Sequence, residues 1–159
     1  MNDLALWLIP AALAVGLAMI LIAWRPLRGI FREIHVERGR EMFGLQRERL
    51  ELLFIEAATA TGKPRGLRWA DCDWANEVKF ARDRANGRLV ALVGVTVRFE
   101  VPEGGDVEGW QQVAQLRNAT GVFWFKRGQW HTDGRTYFNM NPDEALDRMQ
   151  TQFERLEVA

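Results

Sequence analysis

Residues 88–101, RLVALVGVTVRFEV, decide the fold. Leu89, Ala91, Val93, Val95, Val97, Phe99 and Val101 recur at every second position, the period of a strand whose side chains alternate between two faces. On the other face Thr96, Arg98 and Glu100 are polar, whereas Val90 and Leu92 are apolar. The first half of the strand therefore needs cover on both sides, which predicts a central place in a sheet. Gly94, where the pattern changes, predicts a bulge or bend.

Upstream, Asn86-Gly87 is a two-residue hairpin signal that pairs this strand with residues 78–84. Residues 67–74 read as one more strand, with a turn at Ala75 and Asn76. Downstream, Pro102, Gly104 and Gly105 stop the central strand, and Asp106 can cap a short helix through Val107, Trp110, Val113 and Ala114 to about Arg117. Residues 122–126, 130–132 and 135–140 continue the sheet as a meander, with turns at Gly128-Gln129 and Asp133-Gly134. A last helix is marked by Asn141 as N-cap, Pro142 at the first helical position and acidic Asp143 and Glu144 in the first turn. Its stripe is Leu146, Met149, Phe153 and Leu156. Before the sheet, residues 45–60 are rich in helix formers, with Leu50, Leu53, Phe54 and Ala57 along one stripe and Arg47 placed to pair with Glu51. The expectation is an α+β fold: a curved antiparallel meander sheet packed by an N-terminal and a C-terminal helix on one face.

The N-terminal end is different in kind. Residues 4–24, LALWLIPAALAVGLAMILIAW, carry no charge, and as a helix they would extend roughly 32 Å, the thickness of a bilayer core. They read as a transmembrane helix that runs through Pro10, with Trp7 and Trp24 at the two interfaces. Arg25, Arg28 and Arg32 then line one side of an amphipathic juxtamembrane helix whose other side is Leu27, Ile30, Phe31 and Ile34. That helix can lie at an anionic lipid surface or pack on the soluble domain. Gly39 and Gly44 loosen the chain after it. The expected division is 1–24 anchor, 25–44 basic juxtamembrane segment and 45–159 soluble domain. With arginines only after the span, the positive-inside rule puts the N-terminus outside and the C-terminal domain in the cytoplasm.

Lys plus Arg and Asp plus Glu both number 21. The basic excess sits next to the span and the distal part is slightly acidic, which argues against nucleic acid as a partner. One cysteine, Cys72, excludes an intramolecular disulfide and a thiolate zinc cage. No phosphate loop, dinucleotide fingerprint, nucleophile elbow or zinc-protease helix occurs, so no cofactor and no metal are expected.

Four side chains are candidates for catalysis. Asp71 and Asp73 point to one side of a strand and could hold a cation or serve as acid and base, although a strand end facing water explains them without chemistry. Cys72 points the other way and reads as a small core residue. His131 and Asp133 would stand side by side if their strand continued, whereas an Asp-Gly hairpin turn accounts for Asp133 structurally. Trp69, Trp74, Trp110, Trp124 and Trp130 exceed what a small core needs; Trp69, Trp74, Trp110 and Trp130 are the candidate binding surface, with core packing as the competing reading. These residues favour a non-catalytic, membrane-anchored interaction or assembly module, with the bilayer and a protein or a second copy as partners. A small tethered enzyme or ligand-binding domain with a pocket in the sheet is the alternative.

Overall fold

The computed structural model describes residues 3–61, 68–100 and 117–156, and the side chains among them except at 3–12, 14, 18, 20–32 and 68. The short helix expected after Asp106, the residue Trp110 and the linker at 62–66 lie outside the described residues, as do the side chains of Trp7, Trp24, Arg25, Arg28 and Arg32. The elements are α1 (Asp3–Ala60), β1 (Arg68–Asp83), β2 (Leu89–Glu100), β3 (Arg117–Lys126), β4 (Gln129–His131), β5 (Thr136–Phe138), α2 (Pro142–Arg148) and β6 (Phe153–Arg155).

The chain divides into two units, Met1–Arg40 and Glu41–Ala159. The helix α1 belongs to both, and residues 25–44 are helical throughout. Glycine costs a helix only about 1 kcal/mol against alanine, too little to end one flanked by good helix formers, so Gly39 and Gly44 do not break it. Leu13, Val15, Leu17 and Met19 are all exposed, although 13 and 17 lie on the opposite side of the helix from 15 and 19. Among the described residues no helix is long and apolar enough to cross a membrane, and most side chains of residues 4–24 lie outside them.

The second unit is the α+β part. Its antiparallel sheet has the order β4-β3-β2-β1-β6, with β5 on β3 beside β4. As its period requires, β2 is central, buried on both faces from Leu89 to Val93 and then only on alternate residues. Cover on both faces also corrects the placing of the helices, which pack on opposite sides. On one face, Phe43 and Phe54 of α1 enter an aromatic layer: Phe43 meets Phe80, Phe123 and Trp130, and Phe54 meets Trp69, Trp74 and Phe123, with ring centroids 4.9–6.0 Å apart. On the other face, Ala145 and Leu146 of α2 pack with Ala81, Val90, Leu92, Val122 and Phe153.

Three segments depart from the expected meander. β1 is one strand, and the expected turn at Ala75 and Asn76 is a bulge between Trp74 and Val78. The Arg47 guanidinium, itself paired with Glu51 at 2.8 Å, donates to the Asn76 carbonyl at 2.7 Å and to that of Ala75, and so satisfies the carbonyls the bulge exposes. Asp133-Gly134 makes no hairpin. β4 and β5 both pair with β3, and Val122 between them donates its N–H to the Arg135 carbonyl and accepts from the Thr132 hydroxyl. Residues 133 and 134 thus bulge out of a single interrupted edge. Third, the last helix ends at Arg148, and Phe153 belongs to a strand paired with β1 rather than to a helical stripe. Asn86-Gly87 turns β1 into β2 as expected, within a longer connection over residues 84–88, whereas β3 and β4 are joined through Arg127-Gly128, two residues that both have positive φ.

Gly134 has a second role besides its φ of +72°. A Cβ there would lie 2.3 Å from the Ala58 nitrogen and 2.5 Å from its Cα, so the last turn of α1 rests on this glycine. Gly128 has a similar φ of +79° and open space around it. Gly128→Ala is therefore expected to cost about 1 kcal/mol for the left-handed conformation alone. Gly134→Ala should cost about 3 kcal/mol or more, because α1 must also lift. Urea midpoints of the two variants check this; equal shifts would show that α1 does not press on Gly134.

Candidate functional site

The face that carries α2 is covered only in part. Beyond the helix start lies an open groove of about 920 Å³, lined by Asp73, Trp74, Ala75, Glu77 and Lys79 of β1, by Gly94 to Thr96 of β2, by Arg117 to Ala119 of β3 and by residues 139–144. The local sequence explains why it is open. Thr96 and Asn118 occupy the polar half of their strands, and the Thr96 hydroxyl bonds the Asn118 side chain at 3.3 Å. Asn139 takes a left-handed φ of 57° and turns the chain into α2. There Asn141 accepts from the Glu144 N–H at 2.8 Å, and Glu144 accepts from the Asn141 N–H at 3.1 Å. The N-cap at Asn141 was legible in the sequence, and the return bond from Glu144 completes it.

Charges along one side of the groove tie three elements together. Lys79 of β1 bridges Glu77 at 2.6 Å and Asp143 at 3.3 Å; Arg155 of β6 pairs with Asp143 and with Asp147 at 3.0 Å. The hydrogen bond from Arg155, with those from Lys79, holds the Asp143 carboxyl below its ordinary range. Glu77 first and Asp143 second raise Lys79. Asp73, Glu77, Asp143 and Glu144 outnumber Lys79 and Arg117, so the groove is acidic on balance.

The four catalytic candidates do not share this site. Asp73 lines the groove, and Asp71 is on the same face one row away, opposite Arg98. His131 belongs to another row, that of Ala81, Val90 and Trp124, and it stacks on the Trp124 ring at 6.4 Å. Six residues of β2 separate the rows, or about 20 Å. Asp133 stands on the edge bulge, accepting from the Arg135 N–H at 3.0 Å, and borders two smaller hollows. Among the described residues no group of three His, Cys, Asp or Glu side chains is placed to hold a metal.

Three of the aromatic candidates lie among the described residues. Trp69 and Trp130 are buried and Trp74 is half-buried, all three in the layer beneath α1. Trp74 also lines the groove, and Trp69 borders the smaller hollow beside Asp133. Sequence reasoning missed Thr96, Asn118 and Asn139, because isolated polar residues on strands and turns carry no signal of a groove; only the helix cap beside them did. Asn118-Ala119-Thr120 has the form of a glycosylation sequon, but Thr120 is buried and donates its hydroxyl to the Met140 carbonyl at 2.8 Å.

Cys72 lies on the face opposite its aspartate neighbours, half-buried. Burial, and then the charge of Asp71, push its thiol up to about 11. No family model matches the chain, and no curated protein or solved structure matches it either.

Two outcomes follow from these charges. Alkylation of Cys72 by iodoacetamide at mildly alkaline pH should be on the order of 100-fold slower in the folded protein than in urea, since only the thiolate reacts; equal rates would contradict the raised value. Asp143 has its folded value depressed, so its contribution to stability is present above the unfolded value and is lost as pH falls through the folded one. The stability gap between the native chain and Asp143→Asn should be under about 1 kcal/mol at neutral pH and close in acid, as urea titrations at several pH values would show.

Proposed function

We propose that the chain is a single-pass, membrane-anchored interaction or assembly module, with the N-terminus outside and the C-terminal α+β domain in the cytoplasm. The observation that carries this reading is the exposure of Leu13, Val15, Leu17 and Met19 on opposite sides of α1. A helix that is apolar all round needs an apolar environment, and residues 4–24 have the length and composition for a bilayer. Arg25, Arg28 and Arg32 set the orientation and meet anionic headgroups, and Trp7 and Trp24 sit at the interfaces. The rows of Asp73 and His131 lie about 20 Å apart along the sheet, which favours the module over an enzyme that would need Asp71, Asp73, His131 and Asp133 in one cleft. What favours a second reading, a tethered ligand-binding domain, is the groove beside α2, with Asp73, Thr96, Asn118 and Asn141 as its polar groups.

Alkaline carbonate extraction should leave the full chain in the membrane pellet and a chain lacking residues 1–24 in the supernatant. A reporter active only outside the cytoplasm, fused after Ala159, should be silent. Release of the full chain by carbonate would remove the anchor from this reading, and an active reporter would reverse the orientation.

A further inference from the structure

The side of α1 turned away from the sheet carries an apolar row of its own. Within Glu41–Ala159, the helix buries Phe43, Leu50, Phe54 and Ala58 against the sheet. At about 100° per residue, the row formed by positions 41, 45, 48 and 52 is centred about 155° from that buried stripe. Leu45 and Leu52 stand on it, 87% and 69% exposed and one heptad apart. Using this row therefore costs none of the contacts that hold the domain together.

The same row continues along the sequence in steps of three and four, the repeat of a coiled-coil seam. In the sequence, every such step from 13 to 52 is apolar except Arg38, Glu41 and Glu48. Leucines so fully hydrated at seam positions mark a surface that another helix covers.

The charges identify that helix. With Leu45 and Leu52 at the a positions of a parallel pair, Arg38 also takes an a position and lies beside the Glu37 of a second copy. Glu48 takes a d position and lies beside Arg49 of the second copy. Both therefore meet opposite charge when two identical helices pair in register. Glu41 meets its own equivalent and weakens the pair, which a shared membrane offsets by raising the effective concentration.

We propose that the chain forms a parallel, in-register homodimer through this face of α1, with Leu45 and Leu52 each against the same residue of the second copy. The proposal deepens the assembly reading above and rests on its membrane tether. The test uses the full chain in membranes with Cys72 replaced by serine, and Leu45→Cys, Leu52→Cys or Asn86→Cys introduced singly. Mild oxidation should cross-link both helix positions about tenfold more than Asn86→Cys, which reports random collision from the exposed hairpin. Adding Leu45→Glu to Leu52→Cys should bring its yield down to the Asn86→Cys level while tryptophan emission stays that of the folded domain. Cross-linking no higher than Asn86→Cys at either helix position, or at only one of them, would overturn the dimer. Carbonate extraction of the same membranes separates the two failures: protein kept in the pellet without cross-links overturns the dimer alone, and released protein overturns the anchor as well.

Discussion

The constraint on which the α+β domain depends is the seating of Phe54. Its side chain has no exposed surface and touches rings from β1 and β3 at once. That seat exists because Gly121, opposite it on β3, has no Cβ: one there would come within 3.0 Å of the Phe54 ring and 3.1 Å of Trp74. Phe43, three helical turns earlier, fills the neighbouring position against Phe80, Phe123 and Trp130. Aromatic pairs of this kind contribute about 0.5–1.5 kcal/mol each beyond area burial, so the angle of α1 across the sheet is set by edge-to-face geometry as well as by apolar area.

With α1 fixed, the irregular features of the sheet acquire their causes. The bulge in β1 leaves the Ala75 and Asn76 carbonyls without strand partners, and Arg47 supplies them from the helix. The bulge between β4 and β5 brings Gly134 under Ala58, where any larger residue would strike the helix backbone. Both features are long-range. Each involves a residue of α1 and a strand position far along the chain, which is why neither could be read locally.

The sequence was informative where a single element's own chemistry decides its form. The alternation over residues 88–101 placed β2 at the centre and indicated which half is covered twice, and Asn141 as N-cap with Pro142 after it placed the start of α2. Reading failed where two explanations share one spacing. Phe153 follows Leu146 by seven residues, a helical interval, yet it reaches the same apolar cluster from a strand. Asp133-Gly134 has the composition of a hairpin turn, yet its glycine answers to contact with α1. The tryptophans were ambiguous for a similar reason: indole rings suit an interface and a core equally, and only the position of α1 assigns Trp69 and Trp130 to the core.

The groove follows from where α2 begins. Proline has no N–H to donate and clashes with a preceding helical turn, so Pro142 fixes the first turn and the helix cannot extend back over Thr96 and Asn118. Gly94 lets that turn sit close, since a Cβ there would meet Ala75 at 3.2 Å and Pro142 at 3.6 Å. The ion pairs of Asp143 with Lys79 and Arg155 then hold the same turn against β1 and β6. The change from apolar to polar on the even face of β2, at Gly94, therefore coincides with the start of α2. Val90 and Leu92 are covered by the helix, and Thr96 is left in the groove because the helix starts one pleat before it.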